Sequence, residues 1–145
     1  MLIFEKKGVI SQADDKTNVA LDFTVPHGVN VLKVKYSYFP KEVEDEAAAH
    51  HSIEEAMHRY GMQNFDIDGL MPVKNLITLS FDENGKYRGA CHRQPNKQLI
   101  TIAEENSTPG IINRPVEAGS WQVVLNVHYA GCNIHYSVEI EGKTV

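Results

Sequence analysis

The segment YRGACHRQPNK, residues 87–97, places two side chains with reactive potential next to each other. A cysteine thiolate is a nucleophile, and a nearby imidazole or other positive group lowers the pKa of such a thiol. Cys91 and His92 supply these two groups, but neighbouring side chains of a β-strand point to opposite faces of the sheet. We therefore expect a buried Cys91, a His92 at the end of the strand, and no thiol chemistry.

A second set of potential ligands lies in the segment KEVEDEAAAHHSIEEAMHRYGM, residues 41–62. His50, Glu54 and His58 follow one another at intervals of four residues, so a helix would align them on one face, as metal ligands require. The spacing differs from the zinc motif HExxH, in which the glutamate directly follows the first histidine. A solvated helix face is the favoured interpretation.

The histidines of the predicted strands form the third set. If residues 121–129 and 134–140 form a hairpin with their apolar residues on one face, His128 lies directly opposite His135. Such a pair binds a transition metal if a third ligand approaches, and His92 is the candidate for that ligand. The candidate metal ligands are therefore His92, His128 and His135, with exposed imidazoles that have no role as the simpler interpretation.

Other motifs give no further site. Asp66, Asp68 and Gly69 match part of a calcium-binding loop, but the bidentate glutamate that completes such a loop does not follow. Glycine-rich phosphate loops, CxxC pairs and the GxSxG motif are absent from the sequence. We therefore expect no catalytic residue and no cofactor.

The composition narrows the class of protein. A chain of 145 residues has the length of one domain, so we expect a single β-sandwich domain over residues 1–145. A formal net charge of -5 without a cluster of lysine or arginine disfavours nucleic acid as a partner. The N-terminal sequence MLIFEKKGVI lacks the long apolar core of a signal peptide or membrane span. We expect a cytoplasmic protein that does not bind membranes, with Cys91 and Cys132 reduced.

Alternation of apolar and polar residues predicts β-strands along most of the chain. The predicted strands cover residues 19–25, 31–38, 77–81, 87–92, 98–103, 121–129 and 134–140. The pair Asn84-Gly85 predicts a hairpin turn, because both residues tolerate the positive φ angles that such a turn requires.

One segment has helical periodicity instead. Val43, Ala47 and Ile53 recur at helical intervals, Pro40 suits the start of a helix, and Gly61 suits its end. Seven or eight short strands with one helix favour a mainly β fold. The predicted fold is an antiparallel, jelly-roll-like β-sandwich, with one α-helix inserted around residues 41–61 and covering an edge or end of the sandwich.

Three segments carry a family resemblance: NLITLSFDENGKYRGACHR, STPGIINRPVEAGSW and VVLNVHY. They resemble the N-terminal β-domain that precedes the catalytic domain in CehA/McbA-type metallohydrolases, which belong to the PHP phosphoesterase superfamily. The resemblance covers most of the chain. It includes FTVP at a strand end, the pair Arg88-Gly89, TPG in the long connection, and G-x-W at the start of the penultimate strand.

Catalysis in the PHP superfamily uses a metal cluster whose first ligands form an H-x-H motif, and this sequence contains no H-x-H. The resemblance therefore implies a non-catalytic accessory domain, whose partner is a PHP-type catalytic domain or another copy in a homo-oligomer. A carbohydrate or small-ligand binding module is one alternative, because jelly-roll sandwiches occur in lectins. A small metal-dependent hydrolase built on the strand histidines is the other.

Overall fold

The computed structural model describes residues 1–43, 46–61 and 73–145. A helix, α1 (Glu46–Arg59), lies between the third and fourth strands, and a short 3-10 helix, Gln12–Asp14, follows the first strand. The strands of the described residues are β1 (Leu2–Ile10), β2 (Asn18–Val25), β3 (Val31–Phe39), β4 (Leu76–Glu83), β5 (Lys86–Cys91), β6 (Lys97–Ala103), β7 (Gly119–Tyr129) and β8 (Ile134–Lys143).

The strands form two antiparallel four-stranded sheets. The first sheet has the order β1-β8-β3-β6, and the second has the order β2-β7-β4-β5. Strands at the same position in the two orders are consecutive in the chain: β1 and β2, β8 and β7, β3 and β4, and β6 and β5. This is the arrangement of a jelly roll. The predicted antiparallel β-sandwich is confirmed, with one α-helix among the described residues.

The two sheets enclose one apolar core. Trp121, Phe81 and Leu125 are fully buried in it, and the rings of Phe23 and Trp121 lie 6.0 Å apart between centroids. The strict alternation of burial along β7 and β8 means that every second side chain of these strands faces outward. Side chains available for function therefore lie on the two outer faces.

The structure also contains a strand that the sequence pattern did not predict. β1 pairs only with β8 at the edge of the first sheet, and most of its side chains are exposed. Its successive charged residues Glu5, Lys6 and Lys7 break the alternation by which the other strands were predicted. The predicted turn at Asn84-Gly85 is confirmed, with φ angles of 48° and 79°.

The predicted hairpin between β7 and β8 is wrong. β7 pairs with β2 and β4 in the second sheet, whereas β8 pairs with β1 and β3 in the first. Two strands that face each other across a sandwich alternate in the same way as two strands of a hairpin, so the pattern does not distinguish them. The predicted position of His128 opposite His135 is therefore wrong as well.

The start of α1 also differs from the prediction. Instead of being helical, Glu42 pairs with Lys74 in an isolated β-bridge, and the N–H of Val43 donates to the carbonyl of Val73 at 2.8 Å. These contacts join the end of β3 to the residues before β4. The helix accordingly begins after this bridge rather than at Pro40.

The other end of α1 agrees with the sequence. Gly61 has a φ of 69°, the left-handed conformation that commonly ends a helix. Ala49 and Ile53 are buried, and the Tyr129 hydroxyl donates to the Ser52 hydroxyl at 2.5 Å, so α1 lies against the end of β7. Within the described ranges, no helix has the length and apolar character needed to cross a membrane.

Candidate functional site

Cys91 and His92 do not form a catalytic pair. Cys91 is buried, and its thiol donates a weak hydrogen bond to the carbonyl of Pro109 at 3.9 Å, whereas His92 is exposed. Burial raises the pKa of the Cys91 thiol, and the positive charge of Arg93 only partly offsets this effect. The thiol is therefore protonated and turned away from the imidazole, as strand alternation predicted.

His92 lies instead beside His128. Their ring centroids are 5.7 Å apart, and the ring planes meet at 76°. The hydroxyl of Thr78 connects them, because its Oγ1 lies 3.1 Å from Nδ1 of His92 and 2.8 Å from Nε2 of His128. We call these three residues the histidine–threonine cluster.

The strand order explains how the cluster forms. β4 lies between β5 and β7, so an outward side chain of β4 has neighbours from both strands. Thr78 belongs to β4, His128 belongs to β7, and His92 directly follows β5. Sequence analysis missed Thr78, although a polar residue in the alternating pattern of a central strand was a usable signal.

The Thr78 hydroxyl joins the two rings, and the surroundings of His128 favour its neutral form. A hydroxyl has one proton to donate, so Thr78 donates to one neutral ring and accepts from the other. Burial lowers the pKa of His128, and the neighbouring His92 lowers it further. The neutral imidazole of His128 is therefore favoured, and the neutral form is the one that accepts a proton or binds a metal ion.

His135 is separated from the other two candidate ligands. It lies in the first sheet, between Val9 of β1 and Phe39 of β3. The structure thus brings together His92 and His128 but not His135. Among residues 1–43, 46–61 and 73–145, no group of three or more His, Cys, Asp and Glu side chains is arranged to hold a metal ion.

The helical candidates behave as surface residues. Glu54 and His58 are exposed and His50 is half-buried. Beside them, Nε2 of His51 lies 3.1 Å from Oε1 of Glu55, a contact that is an ion pair only when the imidazole is protonated. An exposed pair of this kind contributes little to stability. The partial calcium loop, Asp66, Asp68 and Gly69, lies outside the described residues.

A groove crosses the outer face of the first sheet. Ser37 of β3 and Ser137 of β8 lie opposite each other at its centre, with Lys97 beyond Ser37 and Lys7 beyond Ser137. Two depressions of about 400 and 500 Å³ adjoin here and share Ser37, Lys97 and Ser137. We call this feature the serine groove.

Apolar side chains border the serine groove. Leu99 is 74% exposed, Phe39 is 64% exposed and Val9 is 52% exposed. Phe39 and Val9 line one depression, and Leu99 lines the other. Exposed apolar patches among polar residues are typical of interaction sites, and here three exposed apolar side chains lie among serines and lysines.

No model of a known protein family matches the sequence, and no curated protein matches it. The resemblance to the N-terminal domain of CehA/McbA-type enzymes therefore stays a prediction. Two surfaces are candidates for function, namely the histidine–threonine cluster on the second sheet and the serine groove on the first.

Proposed function

We propose that this chain is a non-catalytic interaction domain, and that it binds a second copy of itself through the outer face of the first sheet. The exposure of Leu99, Phe39 and Val9 around the serine groove carries the proposal. Burying apolar surface is favourable by roughly 25 cal/mol per Å², so a partner that covers these side chains gains free energy. The family resemblance supports an accessory role that consists of binding.

The docking face consists of outward side chains that form rows across the four strands. Glu139 of β8 and Lys35 of β3 are central neighbours in one row, and Glu141 and Lys33 are central neighbours in the next. The central acidic residues of these two rows thus lie on β8 and the central basic residues lie on β3, while Glu5 of β1 adds a further acidic residue to the first row. The rows of the face are Val9, His135 and Phe39; Lys7, Ser137, Ser37 and Lys97; Glu5, Glu139, Lys35 and Leu99; and Leu2, Glu141, Lys33 and Thr101.

This charge pattern is complementary to itself. A two-fold axis parallel to the strands, between β8 and β3, would place β8 of one copy over β3 of the other. Glu139 then faces Lys35 of the second copy, Glu141 faces Lys33, and symmetry repeats each contact. Opposite charges that face each other across an interface select the partner and fix its orientation.

The remaining side chains fit the same arrangement. Ser37 and Ser137 would face each other at the axis, where their small size allows the sheets to approach closely. Lys7 would face Lys97, which is an unfavourable pair. Both lysines are exposed and lie on the outer strands, so salt and solvent screen their repulsion.

The size of the face sets the expected strength of association. Four strands about 4.8 Å apart and about seven residues long give roughly 450 Å² on each copy. Stable interfaces bury about 800 Å² per partner, and smaller ones are typical of transient complexes. We therefore expect a weak dimer with a dissociation constant on the order of 10 to 100 μM.

The other partner implied by the resemblance is a PHP-type catalytic domain. Such a domain could cover the same apolar side chains, but the charge complementarity of β8 and β3 specifically favours a second copy. The carbohydrate-binding alternative has less support, because the rings for which burial was predicted are buried, which leaves Phe39 as an exposed ring beside the serine groove. The buried rings are Phe23, Tyr36, Phe81, Trp121 and Tyr136.

Replacing Leu99 by aspartate is expected to weaken self-association by about tenfold or more, which corresponds to about 1.4 kcal/mol. The change removes an exposed apolar contact and places a negative charge where Glu5 of the second copy would lie. Sedimentation equilibrium between about 5 and 500 μM protein measures the effect.

Ile112→Asp is the matched control, because Ile112 is also an exposed apolar residue but lies outside the docking face. This variant should associate like the original protein. Self-docking is contradicted if the original protein stays monomeric over the whole concentration range, or if Leu99→Asp and Ile112→Asp have the same effect.

A further inference from the structure

The histidine–threonine cluster has a ligand geometry that the docking proposal does not use. The atoms of interest are Nδ1 of His92, Nε2 of His128 and Oγ1 of Thr78. The oxygen is 3.1 Å from the first nitrogen and 2.8 Å from the second. Two ligand atoms that each lie about 2.1 Å from one metal ion, at angles of about 90° to 110°, are separated by about 3.0 to 3.4 Å. The distance from Oγ1 to His92 falls within this range, and the distance to His128 is slightly shorter.

We propose that the cluster binds one divalent transition-metal ion, with Nδ1 of His92, Nε2 of His128 and Oγ1 of Thr78 as ligands. Both nitrogens lie within hydrogen-bond distance of the oxygen, so the ion replaces a hydrogen-bond network, and the two exposed rings turn so that their nitrogens face the ion. Water completes the coordination, because both imidazoles are exposed to solvent.

The chemistry of the ligands selects the class of ion. Neutral imidazoles suit zinc, copper and nickel, whereas calcium and magnesium prefer sites made of oxygen atoms alone. Among divalent ions of the first transition row, affinity for such a site increases towards copper. The expected order of affinity is therefore Cu²⁺ above Ni²⁺ and Zn²⁺, with no measurable binding of Mg²⁺.

A neighbouring amide supports the placement of a water ligand. Asn126 lies opposite Thr78 in the register of β4 and β7. Its Nδ2 is buried and, within the described part of the chain, has no hydrogen-bond partner. An amide nitrogen needs an acceptor, and a water molecule bound to the ion offers one.

Other features limit the affinity. The proposed ligands carry no negative charge, and the ammonium group of Lys16 lies 3.5 Å from the carbonyl oxygen of His128. A nearby positive charge disfavours a second cation. We therefore expect a dissociation constant for Cu²⁺ of about 1 to 10 μM and weaker binding of Zn²⁺.

The test is calorimetric titration of the full chain, without a histidine tag, with Cu²⁺ and with Zn²⁺. We expect one ion per chain, and about tenfold or greater loss of affinity in His92→Ala and in His128→Ala. Both residues are exposed, so these variants should fold. Thr78→Ser should retain the affinity, and Thr78→Val should lower it about tenfold.

Two variants serve as controls. His135→Ala removes an exposed histidine of the first sheet, and His51→Ala removes one from α1; neither should change the affinity. The proposal is overturned if no ion binds at 100 μM protein, a concentration well above the expected dissociation constant of about 10 μM. It is equally overturned if affinity follows His135 or His51 rather than His92 and His128.

Discussion

Replacing Glu83 by alanine is expected to lower the free energy of unfolding by about 3 to 5 kcal/mol. Glu83 and Arg88 are 1% and 0% exposed, and Nη1 of Arg88 donates to both carboxylate oxygens at 3.0 Å. Without Glu83 the guanidinium remains buried and loses its counter-charge. An uncompensated buried charge is one of the most costly defects that a single substitution creates.

The same ion pair fixes the long connection between β6 and β7. Nε of Arg114 and the backbone N–H of Glu117 both donate to the Glu83 carboxylate, at 3.0 and 2.9 Å. Nη2 of Arg88 donates to the carbonyls of Ala103 and Arg114, and its guanidinium carbon lies 5.7 Å from the ring centroid of Trp121. Loss of Glu83 therefore loosens the connection as well as the core.

Urea unfolding measures this prediction, with Glu104→Ala as the control because Glu104 is exposed. The control should stay within about 0.5 kcal/mol of the original protein. Combining Glu83→Leu with Arg88→Met should recover only part of the lost stability, because it removes the unpaired charge but also the hydrogen bonds that Arg88 donates to the carbonyls of Ala103 and Arg114. A loss below about 1 kcal/mol in Glu83→Ala would contradict this interpretation of the network.

Replacing Gly89 by alanine is expected to cost about 3 kcal/mol or more, from backbone strain and overpacking together. Gly89 has a φ of 141°, a region that residues with a Cβ rarely adopt. A Cβ at this position would lie 2.5 Å from the carbonyl oxygen of Gly110 and 2.6 Å from Cα of Ile111. Both are backbone atoms, so a side-chain rotation cannot relieve the clash.

The position matters because the connection before β7 packs directly on β5. Gly89 forms an isolated β-bridge with Ile111, and the N–H of Ala90 donates to the carbonyl of Gly110 at 3.1 Å. An added methyl group would separate these segments. Thermal unfolding followed by circular dichroism gives the loss of stability.

Gly85→Ala separates the backbone strain from the overpacking that together destabilise Gly89→Ala. Gly85 also has a positive φ, of 79°, but a Cβ there would meet no atom within 4 Å. Its replacement should cost only about 1 kcal/mol, which is the cost of the left-handed conformation alone. Equal losses of stability in Gly85→Ala and Gly89→Ala would show that contact with the backbone of Gly110 and Ile111 does not explain why position 89 needs glycine.

Most strands could be predicted from the sequence because one face of each is buried and the other is not. Trp121 and the apolar residues that alternate with polar ones along β7 identified the core in this way. The pairing of β7 and β8 could not be predicted, since alternation gives the buried face of a strand but not its neighbours. β1 was not predicted because a largely exposed edge strand shows little alternation of apolar and polar residues.

The two candidate surfaces were predictable to different degrees. His92 and His128 meet only because β4 separates β5 from β7, and this order depends on contacts between residues far apart in sequence. Leu99 had a local signal, because it precedes the buried Ile100. Two consecutive apolar residues in a strand require one of them to face outward, and the same argument applies to Tyr38 and Phe39.

Self-docking through the first sheet is tested most directly by mixing two charge-reversed variants, Glu139→Lys and Lys35→Glu. In each variant alone, like charges would face each other across the two-fold axis, so each variant should be monomeric at about 100 μM protein. This concentration is at the upper end of the dissociation constant expected for the original dimer, about 10 to 100 μM. In a one-to-one mixture, the lysine introduced in the first variant would face the glutamate introduced in the second. The native Lys35 of the first variant would likewise face the native Glu139 of the second, so both contacts become attractive.

Within each chain, residues 139 and 35 are also neighbours in the sheet, so a single reversal costs up to about 1 kcal/mol of stability. Melting temperatures report that cost separately, and the exposed pair Glu105→Lys and Lys86→Glu controls for general charge attraction. The expected result is a larger weight-average mass for the mixture than for either variant alone. A mixture whose mass equals the average of its two components would contradict the proposed docking face.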